Sequence, residues 1–181
     1  MTRHLPGLAE LEASVARVIP CLSLWEPWAS LIVCGAKWHE TRHWPTKVRG
    51  LVAIHAAKKC DRPGAPDEVC EVFLGPGWAR TRPAGCVVAV AQLTGCYHAA
   101  HLVEGRPPLL AATDNLDQRC GNFDPGRYGF RLDHVRPLRE PLPLIGRQGW
   151  FDWRPPADLA ERLLPEVDRV QALGGWEARH A

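Results

Sequence analysis

Eight residues near the middle of the chain set the first constraint on its fold. Cys86-Val87-Val88-Ala89-Val90-Ala91-Gln92-Leu93 is β-branched and apolar on both faces of an extended chain. Such a segment is stable only with cover on both sides, so it must be a central strand. Partners for it lie in the flanking runs of two-residue period. Cys21 to Leu24 reads as a short buried strand, and Leu51 to Ala56 as another with His55 on the face of Leu51 and Ala53. Tyr128 to Val135 alternates cleanly, Tyr128, Phe130 and Leu132 inward against Arg131 and Asp133 outward, and prolines 137, 141 and 143 then mark an edge.

Helices are fewer and short. Trp28 to Cys34 is apolar almost all round, follows Pro27 and stops at Gly35, which predicts a buried helix with a glycine stop. Its N-terminus, beside Trp25 and Trp28, is an expected anion-binding corner. Asp67 to Leu74 predicts a helix between the Pro/Gly loop Cys60 to Pro66 and Gly75-Pro76-Gly77. Leu8 to Arg17 is a short amphipathic helix, and Pro156 to Leu173 carries Leu159, Leu163, Val167 and Val170 on one face, with a kink at Pro165. Gly95 to Gly126 shows no sustained period and reads as a long irregular excursion. Strands that do not alternate with helices predict a mainly β domain with flanking helices (α+β), a small antiparallel barrel with helices on its rim. The expected organisation is one domain over 20–154, with helical extensions over 1–19 and 155–181.

Composition narrows the functional classes. With 181 residues, 46% of them hydrophobic, the chain can bury one core. A net charge of +2 does not suit a protein that wraps long duplexes, so any nucleic-acid site should be local. No apolar run approaches the roughly 20 residues that span a bilayer, and the first twenty residues lack a signal-peptide core, so no membrane association or export is expected. Seven cysteines without a CxxC pair indicate reduced thiols and a cytoplasmic setting. Cys96, His98, His101 and Cys120 are zinc-compatible donors, but their spacing fits no familiar zinc pattern, so neither metal nor cofactor is expected.

Charge and aromatic residues concentrate in one place. Lys37 to Lys59 holds six Lys/Arg against the single acid Glu40, a local +5 that leaves −3 for the rest of the chain. Four of the eight tryptophans, Trp25, Trp28, Trp38 and Trp44, lie in or beside it. Local positive charge interleaved with flat rings suits a phosphate-bearing ligand with stackable bases. In an extended run Trp38, Glu40, Arg42 and Trp44 would share one face, so Glu40 and Arg42 can pair, while Lys37 would point away. Lys37 can join them only if the chain turns irregularly around Ala36-Lys37, which Gly35 permits.

The run Gly35-Ala36-Lys37-Trp38-His39-Glu40-Thr41-Arg42 matches GxKxxExR, and on it the chain resembles the ASCH domain family (activating signal cointegrator homology). LSLWEPWASLIVCGAK, ETRHWPT, RGLVAIHAAK, FDPGRYGFRLDHVRPL and PLPLIGRQGWFDW follow in the family's order, extending the resemblance over about residues 21–153. It implies a PUA-like β-barrel with a cleft near the motif, in a superfamily associated with RNA and modified-base recognition. Members of the family are described as nucleic-acid binders, transcription co-regulators, ribonucleases or amidohydrolases of acetylated cytidine. The amidohydrolase branch shares a lysine at the Lys37 position but carries threonine where this chain has Glu40.

Three functional readings follow. In the leading one the cleft binds RNA, single-stranded nucleic acid or a nucleotide-like ligand. Trp25 stacks, Lys37, Arg42 and Lys58 meet phosphate, Glu40 reads a base edge, and Ser23, His55, Arg147 and Gln148 supply polar contacts. In the second, Lys37 is a catalytic base with Glu40 as partner, in a hydrolase of a modified nucleobase such as acetylcytidine or in a ribonuclease. In the third the barrel is a protein-interaction or co-regulator scaffold. Purely structural roles also stand open: Lys37 capping the helix end, Glu40 and Arg42 bracing the barrel mouth, His55 hydrogen-bonded in the core.

Overall fold

The computed structural model describes residues 18–59, 67–103 and 116–159. Most of the two terminal extensions and the Cys60 to Pro66 loop lie outside the described residues. Six strands, β1 (Ile19–Leu24), β2 (His39–Arg42), β3 (Gly50–Ala56), β4 (Cys86–His98), β5 (Tyr128–Pro143) and β6 (Trp150–Trp153), form one sheet in the order β2-β5-β4-β3-β1-β6. Only β1 and β3 pair in parallel; the other four pairings are antiparallel. The sheet curls without closing, since β2 and β6 are its two edges. The α+β class therefore holds, with an open curled sheet in place of a closed barrel.

The apolar run from Cys86 does lie inside the sheet, between β3 and β5. Both of its faces are covered, as its composition requires. One face packs Leu22, Leu24, Ile32, Val52, Ile54, Phe130 and Leu132 with Trp28, Trp44 and Trp150 around them. The other joins Ile19, Cys21, Ala53, Val87, Val90, Phe151 and Trp153. Each fully buried Leu, Ile or Val adds about 1.5–3 kcal/mol, which is what holds so short a set of strands together.

β4 runs to His98, five residues past the expected end, because Tyr128 to Arg131 of β5 continue the ladder opposite Gly95 to His98. The excursion predicted from Gly95 thus begins as strand and continues as a helix, Ala99–Val103. Three register shifts between β4 and β5 accommodate a long, strongly twisted pair. β2 covers β5 only over Tyr128 to Arg131. Pro137, Pro141 and Pro143 sit beyond that cover, where a missing N–H on the outer side costs no ladder bond.

Among the described residues, short helices flank the sheet: α1 (Trp28–Val33), α2 (Asp67–Leu74), α3 (Trp78–Thr81) and α4 (Ala99–Val103). Residues 116–119 are also helical. Leu31 and Ala36 behind α1 meet Val69 and Cys70 of α2 and Cys120, a third apolar cluster that fixes α1 against the excursion. α1 ends at Gly35, whose φ of +82° lets the chain reverse, and Lys37 N–H then donates to Leu31 O at 3.0 Å.

Candidate functional site

The site is built where the reversal after α1 delivers the chain into β2. Lys37 lies before the strand, so its side chain is free of the two-residue alternation that governs β2. Its ammonium donates to His39 O at 2.5 Å, stands 3.8 Å from Glu40 Oε2, and lies 5.5 Å from the centre of the Trp28 ring. Glu40 and Arg42, two apart on one side of β2, hold Arg42 Nε 3.0 Å from Glu40 Oε1, at ion-pair distance though outside hydrogen-bond alignment. Arg42 Nη2 then donates to Ser23 O at 2.7 Å. Because β2 and β1 lie four places apart in the sheet order, this bond exists only because the sheet curls.

The opposite side of β2 is fixed by the excursion. Asp117 Oδ1 accepts from the backbone N–H groups of Trp38 and His39 at 2.7 and 3.0 Å, and Asp117 Oδ2 accepts from His39 Nδ1 at 2.7 Å. Thr41 Oγ1 accepts from Asn122 N–H at 3.1 Å, while Arg127 donates to Thr41 O and Asn122 O, both at 3.0 Å. The strap so pinned passes over Lys37. A Cβ on Gly121 would lie 2.6 Å from the Phe123 ring and 3.2 Å from Lys37 Nζ, so any side chain there would have to displace that ring.

Burial decides which groups can reach a ligand. Lys37 is 2% exposed and Glu40 8%, whereas the Arg42 side chain is 24% exposed. Desolvation lowers the Lys37 pKa, opposed by the Glu40 and Asp117 carboxylates. Burial on its own would raise the Asp117 pKa, but the His39 hydrogen bond and charge, the Trp38 N–H and the Lys37 charge outweigh it and hold the pKa below the ordinary aspartate value. The buried charges thus compensate one another, and the positive field at the surface comes from Arg42 and its exposed neighbours.

Those neighbours collect at the C-terminal ends of the parallel pair β1 and β3. Leu24 sits opposite Ala56 in that pair, and Ala57 N–H donates to Leu24 O at 2.8 Å, so Trp25 and Lys58 leave the sheet side by side in the chain path. Trp25 is 36% exposed and Lys58 is exposed. Ser23 lies directly opposite His55. His55 is buried, with Nδ1 3.0 Å from Ser23 Oγ and Nε2 3.0 Å from Leu144 O, and burial lowers its pKa. Arg147 and Gln148 are exposed on the loop that follows Leu144. The structure therefore links Lys37, Glu40, Arg42, Ser23 and His55 through contacts. Trp25, Lys58, Arg147 and Gln148 stand on the exposed turns that border them.

Other expectations change. The N–H groups at the start of α1 are occupied: Ser30 N–H and Oγ–H donate to the two oxygens of Glu26, at 3.2 and 3.0 Å, and Leu31 N–H donates to Pro27 O. The expected anion corner is thus filled by the buried Glu26 carboxylate itself, whose pKa burial raises. Trp38 leaves the Glu40 face because the regular strand begins only at His39, whereas Trp44 stays on the side of Phe130, the residue opposite Glu40 in the β2–β5 ladder. Trp38 Nε1 donates to Gly35 O and its ring lies 5.3 Å from Arg131 Cζ, while Trp44 packs edge-on against Phe130.

Cys96 Sγ accepts from Thr46 N–H at 3.4 Å, and the His98 ring lies against Tyr128 and His101. Among the described residues no cluster of three or more His, Cys, Asp or Glu could hold a metal, and no helix is long and apolar enough to cross a membrane. Asp117, Gly121 and Arg127 carry no local signal in the sequence that ties them to the motif. Asp117 in particular is 78 residues from the motif it braces, and no local pattern signals that contact.

Fold and site define a class: a small α+β domain whose curled sheet clasps a buried Lys-Glu pair and a partly exposed arginine beside a parallel strand pair. Residues 22–111 match the ASCH domain family, and the chain carries an ASCH domain. It is similar to activating signal cointegrator 1 of Mus musculus (34% identity) and of Homo sapiens (33%), in each case over an alignment of 103 residues that covers 52% of this chain. The chain spans 17% of the length of those relatives. A crystal structure of an ASCH protein from Zymomonas mobilis aligns with a TM-score of 0.46 at 17% identity, covering 80% of this chain and 94% of that one.

Proposed function

We propose that this domain binds nucleic acid, taking one unpaired nucleotide of a single strand, RNA in the first instance, at the mouth between Trp25 and the Arg147 loop. The reading rests on a partly exposed indole, Trp25, and the exposed Lys58 just past the paired ends of β1 and β3. Arg42 is bonded to Ser23 of β1, and the exposed Arg147 is next to Gly146, which packs on Ser23 and His55. Base stacking on an indole contributes about 1–3 kcal/mol per base and tolerates any base, while exposed cations meet phosphate. Lys37, whose ammonium donates inward, acts from behind Glu40 and orients that carboxylate and Arg42. Fluorescence titration with short labelled single strands tests this. Binding tighter than roughly 100 μM at low salt, weakened by Trp25→Ala and Arg42→Ala and falling steeply with added salt, is the expected result.

One observation favours a second reading, a hydrolase of a modified nucleobase or of RNA. A lysine whose pKa is lowered by burial, beside a carboxylate, is the kind of group that serves as a general base. A screen of acylated cytidines and labelled RNA, with Lys37→Met as control, decides it. Turnover that survives the substitution rules out the lysine mechanism.

A further inference from the structure

We infer that Ser23, His55 and Gly146 form a latch that positions the Arg147-Gln148 loop at the mouth, and that Ser23 couples this latch to Arg42. The inference rests on the nucleic-acid reading for its consequence, though not for its geometry. Leu144 O can only accept, so His55 Nε2 carries the proton and donates to it at 3.0 Å. Nδ1 is then an acceptor, and the Ser23 hydroxyl donates to it at 3.0 Å. A single imidazole thus ties β1, β3 and the chain leaving β5. Both of its ring nitrogens are used within the protein, so His55 acts through the loop and not on the ligand.

Gly146 closes the latch by steric fit. A Cβ there would lie 2.5 Å from His55 Cε1, 2.7 Å from Ser23 Oγ and 2.9 Å from His55 Nδ1. Backbone therefore rests directly on the imidazole and the hydroxyl, and any side chain would lift the loop away. Ser23 serves both sides of this arrangement: its hydroxyl holds His55, while its carbonyl receives Arg42 Nη2 at 2.7 Å. A continuous chain of contacts runs from Lys37 through Glu40, Arg42, Ser23 and His55 to Leu144, joining the GxKxxExR block to the Gly-Arg-Gln-Gly block. Two cations, the partly exposed Arg42 and the exposed Arg147, are thereby set from one residue.

A double-mutant cycle with hydrogen exchange tests the latch on the full chain. Gly146→Ala lies in an exposed loop but its methyl meets the buried His55 ring, so a thermal melt of the variant accompanies the cycle to read whether the core holds. It should weaken binding of a short fluorescein-labelled single-stranded RNA about tenfold, as should Arg147→Ala. The double variant should lose about the same tenfold and not a hundredfold, because a displaced loop no longer presents Arg147. Independently of RNA, amides 145–149 should exchange faster in both Ser23→Ala and Gly146→Ala, and the His55 ring should show the Nε2-protonated tautomer by nitrogen NMR. Additive losses, or unchanged loop exchange in both variants, overturn the latch. If the wild-type chain binds no RNA, the nucleic-acid reading falls and the exchange and tautomer measurements alone judge the latch.

Discussion

The carboxylate of Asp117 reaches back 78 residues to His39, accepting from its ring Nδ1 at 2.7 Å and from its backbone N–H at 3.0 Å. With the Trp38 N–H added, one buried side chain satisfies three donors at the entry to β2. The charged motif is therefore held in place by a segment that carries no part of it. Without that brace, the reversal after Gly35 would leave the buried His39 amide and the half-buried Trp38 amide without this acceptor, a costly arrangement.

Removing the brace should be expensive. Asp117→Ala leaves the half-buried Trp38 amide and the buried His39 amide and ring without their acceptor. A loss of about 3 kcal/mol is expected, read as a shifted urea midpoint at unchanged slope. A loss below about 1 kcal/mol would mean that the strand entry does not depend on the excursion.

The same residue should shape the acid limb of stability. Its folded pKa lies below the unfolded value of about 4, so the unfolded chain takes up the proton first as pH falls. The contribution is complete above about pH 5 and is lost as pH drops through 4 toward the folded value. Asp117→Ala should therefore show a shallower fall in melting temperature between pH 5 and 3 than the wild type.

Gly121→Ala tests the strap. A Cβ at 2.6 Å from the Phe123 ring must push that ring or the strap outward, away from Lys37. Overpacking of this kind costs about 1–3 kcal/mol. Amine-reactive labelling of Lys37, expected to be slow in the wild type, should accelerate in the variant.

Arg42→Lys should hurt despite conserving charge. The guanidinium spans Glu40 Oε1 and Ser23 O, at 3.0 and 2.7 Å, and a compact ammonium cannot meet both. Thermal denaturation should show a loss of about 1–2 kcal/mol, and RNA affinity should fall several-fold with it. Wild-type affinity in this variant would assign Arg42 a purely electrostatic part.

Local physics was enough for much of this protein. A run apolar on both faces can only be an interior strand, and β4 is one. Pro27 and Gly35 bracket α1 because one cannot donate and the other accepts a φ of +82°. The pairing of Glu40 with Arg42 and the place of Lys37 before the strand followed from the alternation and the glycine. What the tertiary structure alone decided are contacts whose partners lie far apart in sequence. Asp117 under His39, Ser23 under Arg42 and Leu144 against His55 depend on how strongly a six-stranded sheet curls and on where the excursion returns. Curl is the sum of small twists and register shifts over many residues, and no short stretch of sequence encodes it.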